Sequence, residues 1–127
     1  MERPGPLSPQ TLIAAYTRGL FPMAHDDGEI YWYDPDPRTI IPLDRFHASK
    51  RLLRTVRSGR FRVTGDQAYR GVVEGCAAPA PGREKTWISP EILEAYVVLH
   101  ELGFAHSVET WAGDELVGGL YGVSIRG

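Results

Sequence analysis

KTWISPEILEAYVVLHELGFAHSVETWAGDELVGGLYG, residues 85–122, encodes a helix and a hairpin back to back. Ser89-Pro90-Glu91 is a helix start: a hydroxyl N-cap, a proline at the first helical position and a carboxylate in the first turn. Ile92, Leu93, Tyr96, Leu99 and Leu102 recur at helical spacing, and Gly103 stands where a left-handed C-terminal cap falls. Residues 105–111 and 115–124 read as two strands joined by an Ala-Gly-Asp turn, an antiparallel hairpin. Trp87 stands just before the helix, after the polar run Arg83 to Thr86, and is expected near the surface.

Upstream, Ser8-Pro9 repeats the cap-plus-proline start, with Leu12, Ile13, Tyr16 and Leu20 on one stripe and Gly19 near the C-terminus. Met1 to Leu7 is proline-rich and expected to fray. His25 to Gly28 is a turn, Ile30 to Tyr33 a short aromatic strand, and Asp34-Pro35-Asp36-Pro37-Arg38 a rigid corner. That corner either sets Trp32 or Arg38 against a ligand or simply joins two strands; the residues alone favour the plain corner. Ile40 to Leu43 reads as strand, and 49–57 as a helix with Leu52, Leu53 and Val56 inward, ended by Gly59. Residues 61–64 read as strand, and Asp66 as the cap of a helix carrying Tyr69, Val72, Val73 and Cys76. Gly118, Gly119 and Gly122 in the last strand mark either a close approach by a ligand or backbone, or a bulge at a sheet edge.

The chain has 127 residues, 43% hydrophobic and 24% charged, enough for one moderate core or a small lobe docked on a larger one. No apolar run approaches a membrane span and no secretory leader is visible. One cysteine, Cys76, excludes an internal disulfide and points to a reducing, cytoplasmic compartment. The net charge of −2 hides a segregation: residues 38–62 carry eight bases against Asp44, +7, so the remainder carries −9. A basic block in an acidic protein suits a polyanion, although a solvated helix face has the same composition. The four histidines and one cysteine do not assemble a zinc spacing, and His100 reads as a packed, hydrogen-bonded ring. No cofactor loop, dinucleotide fingerprint or Ser-His-Asp arrangement is present.

TWISPEILEAYVVLHELGFAHSVETW followed by ELVGGLYGVS closely resembles the leucyl/phenylalanyl-tRNA–protein transferases, as do LIAAYTRGLFPM, WYDPDPR, FHASKR, FRVTGDQAY and VVEGCA upstream. The resemblance implies an α+β fold. A small N-terminal α/β lobe, residues 1–60 with the basic helix, would precede an incomplete acetyltransferase-like (GNAT-type) domain, residues 61–127, with a mixed or antiparallel sheet. It implies transfer of Leu or Phe, less well Met, from charged tRNA to the N-terminal Arg or Lys of proteins, marking them for N-end-rule degradation. Its partners would be Leu-tRNA, Phe-tRNA and those proteins, with no membrane, metal or cofactor.

In this family Trp87 and Tyr96 belong to the substrate site, Tyr16 matches a third aromatic, and Leu120 falls where an apolar side chain lines the amino-acid pocket. Lys50 occupies a position where arginine is common, and Arg51, Arg54 and Arg57 are the adjoining candidates for tRNA phosphates. Met23 replaces a tryptophan that helps hold adenine; its sulfur still packs on a ring, but a flat stacking surface is lost. The family continues past this last strand into a segment carrying its proposed base and positioning groups, so the catalytic residues are unknown from these residues, and residues 115–125 are expected to be an unpaired sheet edge. The alternative is a non-catalytic module that binds an RNA end or associates with itself. An acetyl-transferring relative that binds coenzyme A ranks last, because no pyrophosphate loop is visible.

Overall fold

The computed structural model describes residues 7–126. Four helices and five strands follow in the order α1 (Pro9–Thr17), β1 (Phe21–Ala24), β2 (Ile30–Tyr33), α2 (Lys50–Arg57), β3 (Arg62–Gly65), α3 (Tyr69–Ala77), α4 (Pro90–Glu101), β4 (Ala105–Ala112) and β5 (Glu115–Val123). The fold class is α+β, as the sequence implies. β1 and β2 form a two-stranded antiparallel sheet; β3, β4 and β5 form a second, in that spatial order and antiparallel throughout.

The helix starts obey their side chains. Ser8, Ser49 and Ser89 each accept a hydrogen bond from the backbone N–H three residues on, at 3.2, 3.1 and 3.2 Å. Each satisfies one donor that the first turn leaves orphaned. Gly19 and Gly103 follow α1 and α4 at φ +82° and +90°, the left-handed conformation that lets the chain turn back.

The larger sheet has one covered face. Ala105, Ser107 and Glu109 alternate inward along β4 and are buried, while His106 and Val108 point the other way. α3 and α4 cover the inward face, and α3 lies directly on β5. There a Cβ on Gly119 would stand 2.8 Å from Val72 Cγ2, so this glycine admits the helix; the register of β4 on β5 shifts separately, between Thr110 and Trp111. The irregularity expected in the glycine strand is therefore present, and the group that comes close to Gly119 is the Val72 side chain of α3, not a ligand or a backbone. Leu12, Val73, Ile92 and Leu99 are fully buried in one core with Ile30 and Trp32, so α1 and the first hairpin pack against α4. Each such side chain contributes about 1.5–3 kcal/mol by leaving water.

Several sequence expectations are corrected. Pro6 and the residues before it lie outside the described residues, and Leu7, expected to fray with them, packs on the core. β1, which the sequence reading leaves unassigned, pairs Pro22 with Trp32 in a two-stranded sheet, where a missing N–H is tolerated at an edge. Ile40 to Leu43 is not strand but irregular chain ending in a single 3-10 turn, Leu43–Arg45. Leu52, Leu53 and Val56 are not inward; they are 50, 37 and 62% exposed. β3 begins at Arg62, one residue later than read. Asp66 does not cap α3: it sits at φ +54° and its carboxylate accepts from the Ser107 N–H at 2.9 Å. The corner at residues 34–38 is structural, since Arg38 donates to the Gly19 carbonyl at 2.7 Å and to Asp34 at 3.2 Å, with Trp32 buried.

Candidate substrate-binding site

α1 and α4 deliver two tyrosines, eighty residues apart, to a single point. Tyr16 and Tyr96 share a hydroxyl–hydroxyl hydrogen bond of 2.6 Å, their rings edge to face at 6.4 Å. Helical spacing from the Ser89 cap puts Tyr96 on the buried side of α4, where it is 2% exposed. Burial raises the pKa of both phenols; the shared bond lowers that of Tyr16 and adds to the rise of Tyr96. Both therefore stay neutral and act as hydrogen-bonding groups, not bases.

Tyr121, from β5, meets Tyr96 edge to face at 6.1 Å and Tyr69 at 6.0 Å. Among the described residues the buried Tyr69 and Tyr121 hydroxyls have no hydrogen-bond partner, and burial raises both pKa values. Sequence reading missed Tyr121; the only available signal was strand alternation, which puts it on the helix-covered face opposite Leu120.

Trp87 lies just before α4. Its carbonyl accepts from the Ala24 N–H at 3.0 Å, tying the approach to α4 onto β1, while Ile88 turns inward and is buried. The indole is 40% exposed. Met23, next to Ala24, lines a cleft of about 550 Å³ with His25, Asp26, Asp27 and Tyr33. His25 contacts Tyr31 edge to face at 4.6 Å and stacks on Tyr33, whose hydroxyl it also hydrogen-bonds through Nε2. Lys85 closes onto Asp26 at 2.8 Å, so this turn is partly neutralised from the segment that carries Trp87.

The remaining candidates lie elsewhere. Leu120 is 68% exposed, over a groove of about 230 Å³ that Val108, His106 and Tyr121 also line, and neither Tyr16 nor Tyr96 is among the residues lining it. Lys50, Arg51, Arg54 and Arg57 are exposed on α2, whose Cα atoms lie more than 8 Å from those of every other helix and strand among the described residues. The structure thus brings Tyr16 and Tyr96 together and seats Trp87 beside Met23's strand, but leaves Leu120 and the cations apart from them.

Two polar clusters hold the frame. Glu109, fully buried, accepts from Thr64 Oγ1 at 2.5 Å, from the Gln67 N–H at 3.1 Å and from the Ser107 hydroxyl. Desolvation works to raise its pKa, and donors from Ser107, Thr64, Gln67 and Ala68 outweigh it, holding the carboxyl below its usual range. Glu109 thereby ties down the turn before α3, whose own start carries no side-chain cap from either Glu109 or Asp66. His106 donates to Asp66 at 2.8 Å and to the Gly103 carbonyl at 3.1 Å, and the Asp66 bond raises its pKa. His100 is packed as read, stacked on Tyr69 at 4.3 Å and bonded to the Ala105 carbonyl at 2.8 Å. Among the described residues no group of three or more His, Cys, Asp or Glu side chains is placed to hold a metal ion, and no helix is long and apolar enough to cross a membrane.

A family model described as leucyl/phenylalanyl-tRNA protein transferase matches residues 40–127, and one for the N-terminal domain of the same proteins matches residues 5–36. The leucyl/phenylalanyl-tRNA–protein transferase of Anaeromyxobacter sp. (strain Fw109-5) is 53% identical over 124 residues, covering 97% of this chain and 53% of that protein. That of Maricaulis maris (strain MCS10) is 56% identical over 118 residues, covering 91 and 55%. That of Herpetosiphon aurantiacus is 54% identical over 122 residues, covering 95 and 61%. The chain spans about half the length of the curated relatives it matches.

Proposed function

The chain belongs to the leucyl/phenylalanyl-tRNA protein transferase family, and from that premise we propose that it supplies the part of such an enzyme that grips the charged 3′ end of leucyl- or phenylalanyl-tRNA. The observation that carries this reading is the placement of Trp87: an indole 40% exposed, its backbone carbonyl anchored to β1 beside Met23. An aromatic face held open in this way suits a terminal adenine, because unpaired bases stack on such faces. The cations of α2 suit phosphates further along the acceptor stem, and Leu120 with Val108 offers an apolar surface for the amino-acid side chain.

The chemistry is aminolysis. The neutral α-amine of an acceptor protein attacks the ester carbonyl, an amide C–N bond forms, the ester C–O bond breaks, and the terminal ribose hydroxyl leaves with the proton the amine gives up. Orientation supplies much of the acceleration, since well-placed reactants are worth up to roughly 7–11 kcal/mol. In this reading the acceptors begin with Arg or Lys, methionine is a poorer cargo, the product enters N-end-rule degradation in the cytoplasm, and the fold is acetyltransferase-like.

The test is equilibrium binding of a non-hydrolysable aminoacyl-tRNA mimic to the wild-type chain and to variants. Charge-neutralising changes at Arg51, Arg54 and Arg57 weaken binding across tRNA sequences and reduce the salt slope by about one per lost phosphate contact. No measurable binding at low salt sinks the reading. A second reading is RNA-end binding without turnover, which the exposed cations of α2 would serve equally well. A labelled-leucine transfer assay separates the two, since product formed by the 127-residue chain excludes the second.

A further inference from the structure

We propose that His106 is a specificity-determining residue of the groove lined by Leu120, holding a positive charge there that turns away amino-acid side chains ending in a cation. This assignment rests on the reading that the groove receives the side chain of the amino acid on the charged tRNA. Val108, Leu120 and Val123 give the groove apolar lining. Such lining alone discriminates poorly against lysine, whose carbon stem buries on apolar surface while its ammonium reaches back to water. A like charge on the wall supplies the missing repulsion.

Hydrogen bonding makes His106 that charge. Nδ1 lies 2.8 Å from a carboxylate oxygen of Asp66 and Nε2 3.1 Å from the Gly103 carbonyl oxygen. Both partners only accept, so both ring nitrogens carry hydrogen and the ring is an imidazolium. Asp66 is fixed in turn, accepting from the Ser107 N–H at 2.9 Å. The His106 side chain is 49% exposed and lines the groove, whereas Asp66 does not. Its cross-strand partner is Gly122, where an added Cβ would meet nothing within 4 Å among the described residues. No side chain on the neighbouring strand therefore separates the ring from the groove. The other ionisable groups around it are Asp66 in the turn after β3, His100 on α4 with Nδ1 3.8 Å from Asp66, Tyr69 on α3 stacked on His100, and Tyr121 on β5; Glu109 on β4 turns inward. Once the ring is neutral, Asp66 is left as an anion behind the groove. Proton loss thus changes repulsion of a cationic side chain into attraction.

Binding of non-hydrolysable norleucyl- and lysyl-tRNA mimics tests the proposal, because the two side chains share a straight carbon stem and differ in the ammonium. The ratio of lysyl to norleucyl affinity cancels whatever the tRNA and the α-amine contribute. In the wild-type chain that ratio is expected to rise about three- to tenfold between about pH 6 and about pH 9. Over this range His106 loses its proton, through a pKa that the Asp66 bond holds above the ordinary value of about 6.5, while the lysine side chain stays charged. His106→Gln should show the higher ratio already at about pH 6 and no rise. His106→Lys, charged throughout, should keep the lower ratio at both. Should His106→Gln fail to fold, the wild-type profile and His106→Lys decide. A ratio that ignores pH in the wild type overturns the proposal, and so does an equal rise in His106→Gln, which retains His100, Tyr69 and Tyr121. Either result with the norleucyl mimic bound leaves the groove's assignment to the amino acid standing. Failure of the norleucyl mimic to bind overturns that assignment and the proposal with it.

Discussion

α2 and α4 begin alike and end differently. Both open on a serine whose hydroxyl accepts from the N–H three residues on, and both carry aliphatic residues at helical spacing. Yet α4 buries Ile92, Ala95, Tyr96 and Leu99, whereas α2 buries nothing. Capping and spacing specify a helix and the direction of its stripe; only an opposing surface turns the stripe into core. An eight-residue helix is marginal alone in water. α2 therefore depends on what covers it in a way α4 does not.

The contrast can be broken or sharpened by substitution. Leu99→Ala in α4 is expected to cost about 2–5 kcal/mol in denaturant unfolding, because the site is sealed and collapses only partly. Glu109→Ala leaves the Gln67 N–H and the Thr64 and Ser107 hydroxyls without their buried acceptor, and should cost about 2–4 kcal/mol. Gly119→Ala drives a methyl into Val72 and should cost about 1–3 kcal/mol; a Val72→Ala background should recover part of that in a double-mutant cycle.

A smaller, pH-dependent effect sits at the α4–β4 corner. The Asp66 carboxylate raises the pKa of His106, so that contribution is complete below the unfolded value of about 6.5 and is lost as pH rises through the higher folded value. Asp66 is held low by the Ser107 N–H and then by His106, so its own contribution is lost only as pH falls through its lowered folded value. Midpoints measured against pH should therefore decline above about pH 6.5 in the wild type and stay flat there in His106→Gln. The smallest effect belongs to α2: Leu52→Ala, the counterpart of Leu99→Ala, should change stability by less than about 0.5 kcal/mol. A loss there as large as at Leu99 would erase the distinction between the two helices.

Local rules made much of this molecule legible. Ser8-Pro9, Ser89-Pro90, Gly103 and the alternation of residues 105–111 announced their elements because each acts within one turn or one pleat. What stayed hidden depends on distant partners. Glu109 holds the turn before α3 through a contact across more than forty residues, and nothing near Gln67 in the chain signals it. Leu52, Leu53 and Val56 obeyed the inward pattern with no interior to meet. At the site, Trp87 was readable as a surface aromatic from the polar run before it and the cap after it. The bond between Tyr16 and Tyr96 required the packing of α1 on α4, and Tyr121 became visible only once β5 had been placed beneath them.

The most direct test of the central claim, that the indole at position 87 holds the terminal base of a charged tRNA, is the affinity of Trp87→Ala for a non-hydrolysable leucyl-tRNA mimic at fixed salt. A stacked base is worth about 1–3 kcal/mol, so affinity should fall by at least roughly fivefold with the salt slope unchanged. Affinity equal to wild type, in a variant whose α4 amides remain protected, would contradict it.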